Sequence, residues 1–322
     1  MREKMITASA PATVANVACG FDVLGFAVNA PRDIVTLYMS KTPGIRIHAI
    51  EGIHGDLLSR DPQKNTAGVA LQHFLKELKY GGGLEIHIQK NLPLGSGMGS
   101  SAASAAAALC AANALFGNPF SRKQLIPFAM EAEKIACGTA HADNVAPALL
   151  GGFILIRSYT PLDIVEIPYP ENLYCTIIHP HIELRTSDSR KVLREEISLK
   201  SAITQWGNVA GLVSGLITRN FELIGRSMED VIIEPLRGKL IPGFHEVKQA
   251  ALTNEVLGCS ISGSGPSVFA LSTTENIAHV AAKAMQKAFE MCTIKSDAYV
   301  SSINMKGAEV IPNPEPVNIL SS

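Results

Sequence analysis

The sequence of 322 residues contains little charge, and the two signs almost cancel. Charged residues make up 18% of the chain, and 28 Lys and Arg are balanced by 29 Asp and Glu, for a net charge of −1. This balance gives no electrostatic reason for binding nucleic acid or a membrane surface. The hydrophobic content of 47% is ample for a packed core, and the length allows two modest domains around one cleft.

The cysteine spacing of a zinc site or a disulfide framework is also missing. The six cysteines are scattered without any Cys-x-x-Cys pair, which predicts reduced, small apolar side chains and a cytoplasmic protein. The first ten residues lack the apolar segment of a signal peptide. The alanine-rich stretch 102–115 is too short and too interrupted to cross a bilayer, so we expect a core helix there.

The most informative stretch is Pro93-Leu-Gly-Ser-Gly-Met-Gly-Ser-Ser-Ala-Ala-Ser104. Its glycines at alternate positions allow positive φ angles and a close approach of bare backbone to a ligand. Residues 84–89 before it alternate as a half-buried strand does, and the alanines after it begin a helix. A strand, a glycine loop and a helix N-terminus together predict a phosphate site, because free N–H groups and the helix dipole favour an anion.

Other interpretations of this loop fit less well. An ordinary loop in a glycine- and alanine-rich chain is the simplest alternative. A Walker loop is excluded because no Lys-Ser or Lys-Thr follows the glycines. The dinucleotide fingerprint fits poorly because no βαβ unit with a ribose-binding acid is evident.

Strand and helix patterns alternate without a βαβ repeat of constant length, which predicts an α+β fold. The proline-rich stretch 161–170 indicates a boundary, which gives two domains, 1–165 and 166–322. Helices are expected over residues 71–78, 102–116, 122–136, 187–220, 221–227, 243–254 and 278–291. Strands are expected on both sides of a turn at 16–22, and over 84–89, 151–156, 161–170, 173–178, 259–272 (with an internal turn) and 298–303.

The glycine loop resembles the second signature of the GHMP small-molecule kinases, in which it wraps the triphosphate of ATP. Pro11-Ala-Thr-Val-Ala-Asn-Val-Ala-Cys-Gly-Phe-Asp-Val-Leu-Gly25 is similar to the first signature, in the form carried by the homoserine-specific branch. His141-Ala-Asp-Asn-Val-Ala-Pro147, followed by Gly151-Gly-Phe, resembles another block of that branch. Ile261-Ser-Gly-Ser-Gly-Pro-Ser-Val-Phe269 resembles the third signature. The four blocks occur in order across nearly the full length.

The resemblance implies a two-domain GHMP kinase fold, with an N-terminal domain like ribosomal S5 domain 2 and a ferredoxin-like C-terminal domain. It also implies ATP- and Mg²⁺-dependent phosphorylation of the side-chain hydroxyl of L-homoserine, a step toward threonine, by a homodimer. Two alternatives stay open. One is a kinase of the same family with a different hydroxylated acceptor, and the other is a non-catalytic sensor of nucleotide or amino acid.

Two departures from the family pattern bear on these alternatives. The turn Asn16-Val-Ala-Cys-Gly-Phe-Asp22 lacks one glycine and one proline of the usual motif, although Asn16, Gly20, Phe21 and Asp22 are in place. Thr13 occupies a position where members that phosphorylate mevalonate or galactose tend to carry a basic residue. The threonine argues against those subfamilies.

On the nucleotide side, the resemblance implies contacts from Asn65 and from the whole glycine loop. The loop residues are Pro93, Leu94, Gly95, Ser96, Gly97, Met98, Gly99, Ser100, Ser101, Ala102 and Ala103. Ser101 and Glu133 are the expected Mg²⁺ ligands, and a hydroxyl and a carboxylate are the hard oxygen donors that this ion takes. Glu131, two positions from Glu133, is the competing carboxylate and is expected to be structural.

An amino-acid acceptor needs an anion for its ammonium group and cations for its carboxylate. The resemblance implies Asp22 for the ammonium and a fork of two arginines for the carboxylate. A turn containing Gly263 and Gly265 is expected to close the pocket. The expected substrate-binding residues are Asn16, Asp22, His141, Thr186, Arg190, Arg237 and Gly263.

Asp143 and Asn144 are the remaining catalytic candidates, together with Glu133. Members that phosphorylate mevalonate or galactose use an Asp as general base, whereas the homoserine branch presents an Asn near that position and works without a dedicated base. Both residue types are present here, so the sequence leaves the choice open. We expect both to position the hydroxyl, with base catalysis as the lesser alternative, because a loose transition state depends mainly on alignment and electrostatics.

Overall fold

The computed structural model describes residues 4–138, 140–184 and 186–312, without the side chains of residues 136, 137, 186 and 187. Within these residues the chain forms two sheets, each covered by helices. No helix in the described ranges is both long enough and apolar enough to span a membrane.

The first sheet has seven strands in the described part of the chain, in the order β11-β1-β2-β4-β3, with β5 beside β2 and β6 beside β5. Its strands are β1 (Met5–Ala15), β2 (Leu24–Ser40), β3 (Gly44–Gly52), β4 (Gly83–Lys90), β5 (Phe153–Tyr159), β6 (Leu162–Ile167) and β11 (Glu309–Ile311). The pair β3–β4 is parallel and the other pairs are antiparallel.

Four helices belong to this half: α1 (Thr66–Glu77), α2 (Ser100–Leu115), α3 (Arg122–Cys137) and α4 (Val145–Leu150). Helix α2 packs across β1 and β2 and is buried on nearly all sides. Its many alanines allow this, because small side chains let a helix approach its neighbours closely without burying polar groups. The glycine loop therefore leads into a helix that is buried on nearly all sides.

The second sheet has the order β10-β7-β9-β8 and is antiparallel. Its strands are β7 (Tyr174–Pro180), β8 (Gly258–Ile261), β9 (Val268–Ser272) and β10 (Ser296–Ser302). The helices are α5 (Thr186–Lys191), α6 (Leu199–Thr218), α7 (Phe221–Ser227), α8 (Glu234–Arg237), α9 (Phe244–Leu252) and α10 (Glu275–Met291). Counted within this half, the order is fourth, first, third, second strand, as the ferredoxin-like expectation requires.

A group of phenylalanines joins the two halves. The ring of Phe26 on β2 stacks on Phe153 at 4.7 Å between centroids and meets Phe269 on β9 edge-on at 5.9 Å. All three rings are fully buried. An isolated bridge between Val28 and Ile303 adds a backbone contact. The two sheets therefore share one buried aromatic contact.

Most of the predicted elements are confirmed, and one is wrong. The helix expected over 187–220 divides into α5 and α6, because the Ser198 side chain accepts a hydrogen bond from Ser201 N and starts a new helix. Strand β11 was not anticipated, and it lies beside β1 in the first sheet. The division into domains 1–165 and 166–322 stays a prediction.

Candidate active site

A single cleft brings together most of the predicted site residues. Its lining includes Asn16, Asp22, Asn65, Leu94, Gly95, Ser96, Gly97, Gly99, Ser100, Ser101, Glu133, His141, Asp143, Asn144, Arg190, Arg237 and Gly263. From the loop set, Met98, Ala102 and Ala103 are buried in the core instead, and Pro93 does not line the cleft. The side chain of Thr186 lies outside the described residues.

The glycine loop has the backbone that its sequence predicts. Gly95, Gly97 and Gly99 have φ angles of 62°, 77° and 68°. A Cβ on Gly99 would lie 2.0 Å from Thr13 Oγ1, and one on Gly97 would lie 2.4 Å from Ser262 O, so neither position tolerates a side chain. Gly99 is the N-cap of α2 and has no capping side chain. The first N–H groups of α2 are thereby available to an anion.

A buried ion pair between Lys90 and Asp33 lies next to the start of α2, where the glycine loop ends. The sequence analysis did not predict it. Lys90 Nζ donates to the Asp33 carboxylate, to Ser104 Oγ at 2.9 Å and to Ser100 O at 2.9 Å. Asp33 Oδ1 also accepts from the backbone N–H groups of residues 91 and 92. Burial lowers the pKa of Lys90, and the Asp33 charge opposes that shift. The network ties β2, the end of β4 and the first turn of α2 into one unit.

The two glutamates of α3 occupy different environments. Glu133 is buried and lines the cleft together with Ser101. Glu131 pairs with Lys134 on the surface, with 2.6 Å between Lys134 Nζ and Glu131 Oε1. Within the described residues no group of three or more His, Cys, Asp or Glu is arranged to hold a metal. Ser101 and Glu133 nevertheless fit Mg²⁺, because this ion takes few protein ligands and completes its shell with water and phosphate oxygens.

Asn65, which is expected to contact the nucleotide, caps helix α1 in the structure. Its Oδ1 accepts from Ala67 N at 3.0 Å, which caps α1, and its Nδ2 donates to Ser59 O at 3.0 Å. The cap places the start of α1 at the cleft. A direct contact of Asn65 with nucleotide stays a prediction.

Opposite charges meet in the same cleft. Arg190 Nη2 lies 3.0 Å from Asp22 Oδ1 and donates to His141 Nε2 at 2.7 Å. His141 Nδ1 faces the same carboxylate at 3.6 Å. Burial lowers the pKa of His141; the Asp22 charge opposes this shift, while the charges of Arg190 and Arg237 add to it. An imidazole nitrogen that accepts a hydrogen bond from a guanidinium carries no proton, so His141 is neutral here and lines the cleft as a polar group.

Arg237 is held rigidly by backbone carbonyls. Its Nε donates to Ser189 O at 3.0 Å and its Nη1 to Gly263 O at 3.2 Å. The side chain is only 2% exposed, and burial, followed by repulsion from Arg190, lowers its pKa to about 10. The ring of Phe21, a motif residue to which the sequence assigned no role, lies 5.0 Å from Arg237 Cζ and 5.6 Å from Arg190 Cζ. The two guanidinium groups are thus positioned around one aromatic ring.

Asn16 and Tyr159 connect the segments that carry the charges. Asn16 Oδ1 accepts from Asp22 N at 3.0 Å and its Nδ2 donates to Gly263 O at 2.7 Å. Tyr159 Oη donates to Asp22 O at 2.8 Å and accepts from Ala142 N at 3.3 Å. Tyr159 was not anticipated, because nothing near it in sequence indicates a site.

Asp143 and Asn144 point to different partners. Asn144 Oδ1 accepts from Thr13 Oγ1 at 2.7 Å, beside the glycine loop. Asp143 is 3% exposed, and its Oδ1 has no hydrogen-bond partner among the described residues. Burial, followed by the charges of Asp22 and Glu133, raises the pKa of Asp143 to about 7. The carboxyl is therefore poised to change its charge near neutral pH.

Two segments of the chain match models of known protein families. Residues 65–152 match the GHMP kinases N terminal domain, and residues 212–290 match the family described as GHMP kinases C terminal. The chain belongs to the GHMP kinase family. As a GHMP kinase, the protein is a phosphotransferase that uses ATP.

Curated relatives place this GHMP kinase in the homoserine kinase branch. A homoserine kinase of Chlorobium phaeobacteroides (strain BS1) is 52% identical over 320 residues, which cover 96% of this chain and 100% of the relative. A homoserine kinase of Xylella fastidiosa (strain M12) is 41% identical, covering 94% and 93%. The family predicted from the four sequence blocks is confirmed.

Solved structures agree with the fold. The crystal structure of homoserine kinase from Cytophaga hutchinsonii ATCC 33406 has a TM-score of 0.93 and 54% identity, covering 97% of this chain and 98% of that one. A mevalonate kinase of L. major has a TM-score of 0.69 at 17% identity, covering 94% and 96%, and shares the fold. The predicted α+β GHMP kinase fold is confirmed.

The raised pKa of Asp143 predicts a pH-dependent stability for the GHMP kinase free of metal and nucleotide. The folded carboxyl holds its proton more tightly than the unfolded one, so its contribution to stability is lost as pH rises from the usual Asp range through about 7. Asp143→Asn removes this loss. Relative to the parent, the variant should gain roughly 2–3 kcal/mol of unfolding free energy between about pH 5 and about pH 8.

Urea unfolding at the two pH values, with EDTA present, measures this difference. The control is Asp56→Asn, which changes an exposed aspartate and should shift both measurements equally. A difference between Asp143→Asn and the parent that does not change with pH would contradict the assignment.

Proposed function

We propose that this protein transfers the γ-phosphoryl group of ATP to the side-chain hydroxyl of L-homoserine. The hydroxyl oxygen forms the new bond to phosphorus, the bond from phosphorus to the β,γ-bridging oxygen breaks, and the hydroxyl proton is released. The products are ADP and O-phospho-L-homoserine. The observation that carries the proposal is a single cleft that holds both a glycine loop at the N-terminus of α2 and the acid and two arginines that an amino acid requires.

The loop and its supporting ion pair supply the nucleotide side. The backbone N–H groups at the start of α2 bind phosphate oxygens, and the helix dipole adds to their attraction. Ser101 and Glu133 would hold Mg²⁺, which supplies charge neutralisation across the β- and γ-phosphates when bound. Because Lys90 and Asp33 fix the base of the loop, these donors are in place before the nucleotide arrives.

The substrate side matches the two charges of an α-amino acid. Asp22 and Arg190 neutralise each other in the structure, at 3.0 Å. Homoserine replaces this one ion pair with two, the ammonium with Asp22 and the carboxylate with Arg190 and Arg237. His141, Asn16 and Gly263 shape the rest of the pocket. Both guanidinium groups lie within 5.6 Å of the Phe21 ring centroid, so a carboxylate bound beside that ring would meet two fork-shaped donors.

Alignment of the hydroxyl falls to Asn144 and Asp143. Asn144 is fixed to Thr13 beside Gly99, which places its amide next to the phosphate loop. A loose transition state gains most from this alignment and from electrostatic stabilisation. Proton acceptance by Asp143, whose pKa is about 7, is the alternative for the last step.

We also propose that the protein is located in the cytoplasm. The described cysteines, Cys19, Cys110, Cys175, Cys259 and Cys292, are free thiols. Free, mostly buried thiols suit a reducing compartment.

An acceptor panel tests the activity. ADP production is measured with Mg-ATP and, in parallel, L-homoserine, L-serine, L-threonine, mevalonate and galactose. L-homoserine should give the highest kcat/KM, because it alone combines the amino-acid charges with a hydroxyl one methylene further out than serine's. Faster turnover of mevalonate or galactose would show a different acceptor, and no ADP with any acceptor would favour the sensor.

A further inference from the structure

The turn over residues 16–22, here named the Asp22 turn, has a strained backbone. Its positive φ angles at residues other than glycine are 71° at Asn16, 42° at Val17, 59° at Ala18 and 58° at Asp22. Such angles are uncommon outside glycine, and for a β-branched residue such as Val17 they are an outlier. A strained backbone persists only where the surrounding structure fixes it. A contact from outside the turn must therefore hold it in place.

Gln205 on α6 provides such a contact. Its side chain is buried, although glutamine is a polar residue. The Nε2 group donates to Cys19 O in the Asp22 turn at 2.8 Å and to Asp230 Oδ1 at 3.0 Å. The Oε1 atom accepts from Val231 N at 3.1 Å, so both ends of the amide are hydrogen-bonded. One buried side chain thus joins the Asp22 turn to the segment at 230–231.

Asp230 extends this connection to α8, the helix that ends at Arg237. The carboxyl oxygens of Asp230 accept from the backbone N–H groups of residues 232–234, each at 2.9 Å. Hydrogen bonds from an Asp side chain to the backbone just after it fix the local conformation of the chain. The start of α8 is therefore held in place relative to Gln205, and the position of Arg237 follows from it.

A second set of contacts joins α8 back to the Asp22 turn, inside the cleft. Gly263 O accepts from Arg237 Nη1 at 3.2 Å and from Asn16 Nδ2 at 2.7 Å. The turn, α6, the segment at 230–234 and α8 thus form a closed circuit of hydrogen bonds. A closed circuit fixes the distance between two of its members from both sides, whereas a single contact leaves the rest of the chain free to move.

We propose that Gln205 is a positioning residue for the acceptor, which sets the separation of Asp22 and Arg237 to suit the ammonium and carboxylate groups of one α-amino acid. This inference rests on the proposed function, in which those two residues bind the two charges of homoserine. Gln205 does not line the cleft and therefore acts through the residues that it holds. An error of about 1 Å in such a placement can cost about a hundred-fold in rate.

Kinetics with two acceptors test this role. Gln205→Leu keeps most of the side-chain volume and removes the hydrogen bonds. With L-homoserine, whose two charges need both partners, kcat/KM should fall roughly 10- to 100-fold, and the KM for ATP should change less than about two-fold. With 3-amino-1-propanol, which carries the ammonium group alone, kcat/KM should fall less than about three-fold. Equal losses with the two acceptors would show a general structural defect and overturn the proposal.

Asn208→Leu is the matched control. Asn208 also lies on α6, and its Nδ2 donates to Glu229 O at 2.8 Å, next to Asp230. Both variants therefore lose a hydrogen bond between α6 and the segment before α8, but only Gln205→Leu also releases Cys19 O in the Asp22 turn. The control should change kcat/KM for homoserine less than about three-fold. An effect as large as that of Gln205→Leu contradicts the role of the turn.

Hydrogen exchange separates this inference from the choice of acceptor. Without substrate, deuterium uptake in Gln205→Leu should rise at both 16–24 and 230–237, because each segment loses a hydrogen bond to α6. Parental uptake at 16–24 overturns the proposal. If the parent phosphorylates a different acceptor, the proposed function fails, whereas the exchange still shows whether Gln205 joins the two segments.

A second variant serves if Gln205→Leu does not fold. Gln205→Glu keeps the size of the side chain and sets a carboxyl oxygen against Cys19 O and Asp230 Oδ1 in place of the donor. The same losses are expected with each acceptor and the same rise in exchange at the Asp22 turn. Parental kinetics with homoserine in this variant overturn the proposal.

Discussion

Replacing Arg237 with alanine raises the KM for L-homoserine steeply and leaves the KM for ATP nearly unchanged. The guanidinium is buried and fixed by Ser189 O and Gly263 O, and under the proposed function it binds the substrate carboxylate. Removing it leaves part of a desolvated charge unpaired, a loss of roughly 2–5 kcal/mol. This corresponds to a fall of roughly 30-fold to several thousand-fold in kcat/KM for homoserine. Steady-state kinetics with each substrate varied in turn measures the effect.

A truncated acceptor separates binding of the carboxylate from a general loss of structure. 3-Amino-1-propanol lacks the carboxylate, so it should be a poor substrate of the parent and should lose little further with Arg237→Ala. Arg226→Ala is the matched control, because Arg226 is exposed and pairs with Glu222 on the surface of α7. If Arg237→Ala weakened ATP binding and kept a normal dependence on homoserine, Arg237 would belong to the nucleotide side.

Changing Glu133 to glutamine should lower kcat by about a thousand-fold, since loss of a metal ligand removes several kcal/mol of transition-state stabilisation. The substitution keeps the shape of a buried side chain in the cleft and removes its charge. Glu131→Gln is the control on the same helix, and it should cost little because Glu131 pairs with Lys134 at the surface. Activity is measured across a Mg²⁺ titration for both variants.

The titration distinguishes a ligand from a structural residue. Loss of a ligand should shift the Mg²⁺ dependence to higher concentration, whereas a folding defect should lower activity at every concentration alike. Equal and small effects of the two substitutions would show that the metal carboxylate lies elsewhere.

The backbone of the glycine loop could be predicted from the sequence because its parts are adjacent in the chain. The alternating strand, the three glycines and the alanine run all lie within residues 84–116, and the structure confirms strand β4, the positive φ angles and helix α2. Local backbone requirements leave a local signature. The same holds for the turn at Gly263, whose φ is 56°.

The support of the site could not be predicted, because it joins distant segments. Lys90 and Asp33 are 57 positions apart, Thr13 and Asn144 are 131 apart, and Arg190 lies 168 positions from its partner Asp22. The hydrophobic periodicity of a sequence carries no information about pairs so far apart. A lysine at the end of a predicted strand is therefore interpreted as exposed to solvent, because its partner cannot be identified. For the same reason, the sequence could not show that Asp143 is buried, or that Asn144 accepts a hydrogen bond from Thr13 on β1. The catalytic roles themselves stay predictions.

The pairing of β11 with β1 gives this enzyme a particular hazard during its synthesis. Thr7 pairs with Ile311, so β1 remains an open sheet edge until about 300 further residues have left the ribosome. At roughly 5–20 residues per second, that interval lasts roughly 15–60 seconds. Open edges recruit other strands and so begin aggregation. The exposed strand also holds the phosphate loop, through Thr13 N and Met98 O at 3.0 Å. We therefore expect Thr7–Ser9, the part of β1 that β11 covers, to be prone to aggregation when translation of the second half is slow.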